Sequence, residues 1–367
     1  GSRSATWRQI IADVLGRPDA ALVNDDALRG EHGSFMFLRV CRSETGAGDN
    51  KTRWHSLTQH PAPDPRAEYR CEWQPHAATF ESIGAVVTSR LRVWVAPQED
   101  VEVREITLEH SGDGPPPVIE LASYFEVVLA AQAADEAHPA FSNLFVQARW
   151  DADLRALWFT RRGRLEGDRA VHAVHFLAES DADIIETRAC TDRAYALGRG
   201  RSVQSPCFHR QPALADTGLD PIASIAVRCV LPARGAVKLR FATAVSHDPA
   251  ELALIVDRHR QRVHVERAWR MASALALIAL REARIDAPAW HAWQLLSTPL
   301  AQALARPLPL TSAAPSIDRR CLWHLGISGE KPLLLVRVPD ADGLLLADWV
   351  ARVTPLWARA GLSVDVV

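Results

Sequence analysis

The sequence predicts a mainly β chain, with a large antiparallel β-sandwich, an α-helical linker and a small partial α/β segment in that order. Three observations carry this prediction. From Gly33 to about Val245, short apolar segments alternate with Gly, Pro and Asp, and no helical stretch separates them. At Asp248 the period of two gives way to helical spacing. Beyond Pro309 a strand-like run, a helical pattern and a second strand-like run succeed one another. The corresponding parts are residues 1–247, 248–309 and 310–367.

The stretch from Val118 to Phe145 alternates most cleanly. Ile119, Leu121, Phe125, Val127 and Leu129 share one parity, and Glu120, Tyr124 and Glu126 share the other, which predicts a strand with one dry face and one polar face. The following residues, through His138, Pro139 and Phe141, read as a loop. Val101 and Val103 share one parity but Ile106 and Leu108 take the opposite one, which predicts a bulge near Arg104 and Glu105. Alternation from Ile225 to Leu231, a turn at Pro232 to Gly235, and alternation from Val237 to Val245 predict a hairpin.

Asp248 is a good N-cap, Pro249 suits the first helical position, and Leu252, Val256, His259 and Val263 form a helical stripe. A second helix runs through Trp269, Ala272, Leu275 and Ala279. A third begins after Asp286 and carries Trp290, Trp293, Leu296 and Leu300, ending before Pro307 and Pro309. The run Pro332 to Val338 reads as a buried strand, Leu344 to Ala360 as a helix and Leu362 to Val367 as a strand, so the chain reads as a piece of a longer protein.

Composition excludes several classes. The 367 residues carry 42 basic and 44 acidic side chains, a net charge of −2, which gives no electrostatic case for nucleic acid or an anionic membrane. Six cysteines are scattered without a CxxC pair, so neither zinc spacing nor a disulfide framework is read. The start GSRSATW lacks the apolar stretch of a signal peptide, and the apolar runs fall well short of the roughly 18 residues of a membrane span. His172 and His175 are three apart on a strand and face opposite sides, and His55 and His60 lack further ligands. No metal and no cofactor are expected.

Several spaced segments carry a resemblance. Ala189 to Val203 reads ACTDRAYALGRGRSV, Leu219 to Ser224 reads LDPIAS, and Leu322 to Arg337 reads LWHLGISGEKPLLLVR. Together with the strand and loop of Val118 to Phe145, they resemble the N-terminal β-sandwich and linker of the family 94 glycoside phosphorylases, most closely the phosphorylase-like region of cyclic β-1,2-glucan synthases. The family has Asp where this chain has Glu330, followed here by Lys331.

The resemblance implies a linker leading to an (α/α)6 catalytic barrel that holds the catalytic acid, so no catalytic residue is assigned within this chain. It also implies a soluble, cytoplasmic part of an inner-membrane protein. Its partners would be a β-glucan oligosaccharide, the catalytic barrel of the parent and, through the family's pairing habit, a second copy of the chain.

Five residues are read as candidate sugar contacts. Trp94, Tyr124 and Trp158 fall on the parity expected to face outward, where aromatic faces can stack on pyranose rings. Glu126 shares the polar parity of its strand. His138 either pins its loop by bonding backbone or presents a polar group to sugar. A self-contained hydrolase using Glu126 or Glu136 is the competing class, against the commoner reading of such acids, Asp135 included, as ordinary exposed groups. A structural dimerisation domain is the third. The basic segment Asp192 to Arg201 reads as a turn between strands rather than a phosphate loop, because it matches no nucleotide motif and opens no helix.

Overall fold

Burial on both faces of five strands, Val101–His110, Val118–Ala131, Val171–Ser180, Pro221–Val230 and Ala236–Ser246, shapes the architecture, because each sheet is then covered on both sides at its centre. The computed structural model describes residues 20–23, 33–41, 52–111, 114–131, 135, 137–163, 169–208, 213–305, 318–328, 331, 333–359 and 363–367. The strands of residues up to 110 are β1 (Ala20–Val23), β2 (Ser34–Val40), β3 (His55–Ser56), β4 (Glu68–Gln74), β5 (Ala77–Ile83), β6 (Val87–Val95) and β7 (Val101–His110). There follow β8 (Val118–Ala131), helix α1 (Pro139–Asn143), β9 (Val146–Asp151), β10 (Ala156–Arg161), β11 (Val171–Ser180) and β12 (Asp183–Asp192). Helix α2 (Arg193–Leu197), β13 (Pro221–Val230) and β14 (Ala236–Ser246) complete the β region.

One sheet runs β12-β13-β8-β2-β3, with β1 pairing on the far part of the long β8. The other runs β4-β5-β6-β7-β14-β11-β10-β9, and every pairing in both sheets is antiparallel. The β-sandwich is therefore as the sequence predicts. Its strand partners are not all as predicted. β13 and β14 do not form a hairpin; the turn at Pro232 to Gly235 passes the chain from one sheet to the other. Both strands are buried on both faces, so their alternation carries no information about partner.

Nor does β7 bulge. It pairs with β6 and β14 without a register shift. The change of apolar parity marks a change of cover: Val101 and Val103 pack into a cluster with helical residues, whereas Ile106 and Leu108 are buried on the other parity.

Those helices are α3 (Pro249–His259) and α4 (Arg262–Glu282). Asp248 caps α3 as expected, its carboxylate accepting from Ala250 N at 2.8 Å, and Pro249 opens the helix. Leu252, Ile255 and Val256 of α3 and Val265, Ala268 and Ala272 of α4 lie on Trp94, Val101, Phe176, Ala242 and Ala244. The stripe breaks at Arg260 and Gln261, so His259 ends one helix and the exposed Val263 starts the next.

The chain divides into two compact units between Ala276 and Leu277, inside α4. The second unit holds α5 (Ala287–Ala305), a 3-10 turn (Arg319–Leu325), β15 (Leu333–Leu334), α6 (Ala341–Arg359) and β16 (Asp365–Val366). β15 and β16 pair in parallel around α6, which is the predicted β-α-β unit. Its core is Ile285, Trp293, Val350, Val353, Trp357 and Val364, and Trp357 Nε1 donates to Ser297 Oγ at 2.9 Å. Within the described part of the run Pro332 to Val338, Leu333 and Leu334 pair with β16, Val336 N donates to Val367 O at 2.7 Å, and Leu335 is exposed, so it is not the buried strand expected.

Candidate functional site

The polar parity of β8 carries two of the five candidate contacts, Tyr124 and Glu126. Asp192 ends β12 and caps α2, its carboxylate accepting from Tyr195 N at 3.1 Å, and Gly198 terminates that helix at φ +91°. The segment expected as a plain turn is thus a short helix, started by an aspartate cap and stopped by a glycine in a conformation that suits glycine. The helix presents Arg193, whose Nε donates to Glu126 Oε1 at 2.7 Å. Tyr124 Oη donates to the same oxygen at 3.1 Å.

Tyr124 lies beneath this pair among Phe37, Trp54, Leu197, Val203, Phe208 and Ile222, a cluster that covers the sheet's outer face. Burial, reinforced by the Glu126 carboxylate, pushes the Tyr124 phenol well above its ordinary range. A small cavity beside it, bounded by Arg188, Cys190, Tyr195 and Phe208, has a volume of about 20 Å³. That is room for one water and not for a pyranose ring.

Further along β8, Glu120 is fully buried and accepts from three guanidiniums. Arg39 Nε lies at 2.8 Å, Arg228 Nη1 at 2.9 Å and Arg188 Nη2 at 3.1 Å. Register places Arg39, Glu120 and Arg228 side by side across β2, β8 and β13. Burial alone would raise the Glu120 pKa, but Arg188 and Arg39, with the hydrogen bonds of Arg39 and Arg228, hold it below the usual carboxylate range. Arg39 also sits 4.6 Å over the Trp54 ring. This is a charge lock within one sheet, in which the Glu120 carboxylate is shared by three guanidiniums.

Of the five candidate contacts, the structure joins Tyr124 and Glu126 by a hydrogen bond and places Trp94 and Trp158 on one apolar cluster. Trp94 is 4% exposed and meets Trp269 edge-on at 5.6 Å, and Tyr124 is 0% exposed, so neither faces outward. Their parity is outward with respect to the sheet, but later chain covers it: α3 and α4 over Trp94, α2 and Phe208 over Tyr124. Trp158 is half-buried, packed on the same cluster as Trp94, with Arg149 at 5.5 Å over its ring. His138 is exposed and precedes α1, so the expected loop holds a helical turn here; the His138 carbonyl accepts from Ser142 N while its side chain makes no cap bond. Asp135 is partly buried, and Glu136 lies outside the described residues. His172 and His175 face opposite sides as expected: His172 meets Thr160 at 3.0 Å, and His175 is buried between the sheets.

Comparison with known proteins decides the family. The model of the glycosyl hydrolase 94 supersandwich domain matches residues 23–262. The chain belongs to this supersandwich family. A curated relative is the cyclic β-(1,2)-glucan synthase NdvB of Rhizobium meliloti (strain 1021), 27% identical over 351 residues. The match covers 93% of this chain and 12% of that protein, so the chain spans about an eighth of its relative's length. Among solved structures, a bacterial glucoamylase complexed with acarbose aligns over 64% of this chain and 31% of its own, at 8% identity and a TM-score of 0.35. A GH92 inverting mannosidase from Bacteroides thetaiotaomicron aligns over 66% of this chain and 25% of its own, at 12% identity and a TM-score of 0.32.

The supersandwich also assembles a group that sequence reading missed. Glu99, His259 and His264 bring a carboxylate oxygen and two imidazole nitrogens within 4.8 Å of one another, the one such group of three among the described residues. The H-x4-H spacing of the two histidines was visible in sequence. The carboxylate stands about 160 residues away, and no local pattern points to it.

Proposed function

We propose that the chain is a non-catalytic, carbohydrate-handling module of a larger phosphorylase-like enzyme acting on β-1,2-linked glucan. The observation that carries this reading is the 351-residue match to a cyclic β-(1,2)-glucan synthase, which runs through the supersandwich and on into the helices that follow it. In that setting the parent supplies the catalytic barrel, the module stands on the cytoplasmic side, and pairing of two copies through the sandwich is open to it. No helix among the described residues is long and apolar enough to cross a membrane.

The side chains support an accessory role over a catalytic one. An inverting or retaining glycosidase needs a carboxylic acid free to exchange a proton, paired with a second carboxyl across the scissile bond. Glu126 instead accepts from Tyr124 and Arg193 through one oxygen, which ties it to the cover of the sheet. Of the five candidate contacts, Glu126, Trp158 and His138 keep surface for a sugar, and Trp94 and Tyr124 do not.

Titration calorimetry with a β-1,2-glucan oligosaccharide tests the proposal. Saturable binding, weakened in Trp158→Ala without loss of melting temperature, is the expected result. Absence of binding to the unsubstituted chain would remove the carbohydrate-handling part of the reading.

A further inference from the structure

We infer that Glu99, His259 and His264 form a binding site for a single transition-metal dication, zinc by ligand chemistry, with one coordination position open to a cleft. This inference does not depend on the glucan reading, because it rests on the geometry of one corner of the supersandwich.

Three rigid features meet there. Glu99 sits in the turn between β6 and β7, which is closed by Ala96 N donating to Val101 O at 2.9 Å and Val101 N donating to Glu99 O at 2.8 Å. His259 is the last residue of α3, and His264 lies in the first turn of α4, where its backbone N donates to Gln261 O at 3.0 Å. Arg260 Nη1 ties the helix corner to Asp153 O at 3.3 Å. The packing that holds α3 and α4 on the sheet therefore also sets the spacing of the three side chains.

Two of the three ligand–ligand distances suit a tetrahedral ion, and all three lie within 4.8 Å. Glu99 Oε2 lies 3.1 Å from His264 Nε2 and 3.6 Å from His259 Nδ1. With metal–ligand bonds of about 2.0–2.1 Å, the edges of a tetrahedron are about 3.3 Å, between those two values. Two imidazoles and one carboxylate are a donor set for zinc and its neighbours, not for calcium or magnesium, which prefer all-oxygen shells.

The surroundings of His259 fix which of its nitrogens can serve as the ligand. His259 is 0% exposed, and its Nε2 has no hydrogen-bond partner. Its Nδ1 faces two acceptors, Ile255 O at 3.0 Å and the Glu99 carboxylate. A neutral imidazole has one donor nitrogen and one acceptor nitrogen. Whichever nitrogen carries the proton, the other is a buried lone pair that meets no donor among these neighbours, and such groups are costly unless satisfied. Nδ1 is the nitrogen that faces Glu99, so a cation there satisfies the lone pair of the Nε2–H tautomer only and leaves Nε2 without a partner.

The remaining position has room. A cleft of about 350 Å³, lined by Pro97, Gln98, Arg267 and Met271 as well as Glu99 and His264, opens beside the cluster, and His264 is 27% exposed. Arg258 Nη1 holds the other Glu99 oxygen at 2.9 Å, fixing the carboxylate so that Oε2 is turned to the histidines. Three protein ligands with an open fourth position is the arrangement of a site that can take water or a small ligand on the metal.

The test is metal uptake by the intact chain after chelator treatment and dialysis, with zinc titrated calorimetrically and cobalt followed by its visible spectrum. We expect one ion per chain, a rise in melting temperature on loading, and a tetrahedral cobalt spectrum lacking thiolate charge transfer, which separates this site from the six free cysteines. His264→Ala and Glu99→Gln should each weaken binding by roughly tenfold or more. Both side chains reach the surface, so their metal-free forms should remain folded, whereas a His259 variant opens the core and is not diagnostic. No stoichiometric uptake, or uptake unchanged in His264→Ala, would overturn the inference and leave Glu99 and His264 as a hydrogen-bonded pair.

Discussion

His175 Nε2 lies 2.8 Å from Ser123 Oγ, so a histidine of the larger sheet and a serine of the smaller one meet inside the sandwich. The second ring nitrogen lies 2.9 Å from Thr243 Oγ1 on the adjacent strand, and Ser123 Oγ also accepts from Ile225 N at 2.9 Å. The polar groups at the centre of the core are therefore satisfied by one another.

This burial predicts a pH dependence. Desolvation, with a smaller contribution from Arg104, lowers the His175 pKa from its ordinary 6.5 to about 3. The unfolded chain takes up this proton below pH 6.5 and the folded chain does not until about 3, so stability falls as pH drops through that window. This one group contributes a slope of up to about 1.4 kcal/mol per pH unit. Urea unfolding of the parent and of His175→Gln between pH 7.5 and 5 measures it. The variant should be less stable at pH 7.5 and show the shallower slope; equal slopes would mean that His175 is not held neutral.

The Glu120 cluster makes a second prediction. Glu120→Gln leaves Arg39, Arg188 and Arg228 buried around a neutral amide, and breaking such a group by removing one partner costs about 3–5 kcal/mol. Denaturant midpoints should shift accordingly. A shift below about 1 kcal/mol would mean that water reaches the guanidiniums.

Trp94 and His138 should respond in opposite ways. Trp94 fills the space between its sheet and α4, so Trp94→Ala should cost about 3–5 kcal/mol. The His138 side chain is exposed and caps nothing, so His138→Ala should change stability by less than about 0.5 kcal/mol. Paired melting curves decide the matter, and a large loss in His138→Ala would restore the loop-pinning role read from sequence.

The second unit predicts where the chain can be cut. A chain ending at Glu282 keeps the whole sandwich cluster. One ending at Pro309 keeps α5 but removes Val350, Val353 and Trp357, which cover Trp293. The shorter chain should melt cooperatively and bind little hydrophobic dye, and the longer one should bind more. The reverse order would contradict the division of the cores.

What the sequence made legible was local. Asp248 and Pro249 announce α3, Asp286 announces α5, and the period of two marks β8 as a strand, because caps and periods are written in neighbouring residues. The misreadings share one cause. Tyr124 and Trp94 sit on the outward parity of their sheets, but that face is covered by segments about 70 to 175 residues later, and alternation cannot show what lands on it. The same ambiguity made β13 and β14 look like a hairpin, since a strand buried on both faces carries no mark of its partner. Glu99 met His264 only through the packing of a turn against a helix corner.

The central claim is that this chain handles glucan without turning it over. Incubation with β-1,2-glucan and phosphate, assayed for glucose 1-phosphate and for new reducing ends, addresses that claim most directly. The account predicts neither product. Sustained turnover that disappears in Glu126→Gln, in a variant whose melting curve matches the parent, would contradict it and make the chain a hydrolase or phosphorylase in its own right.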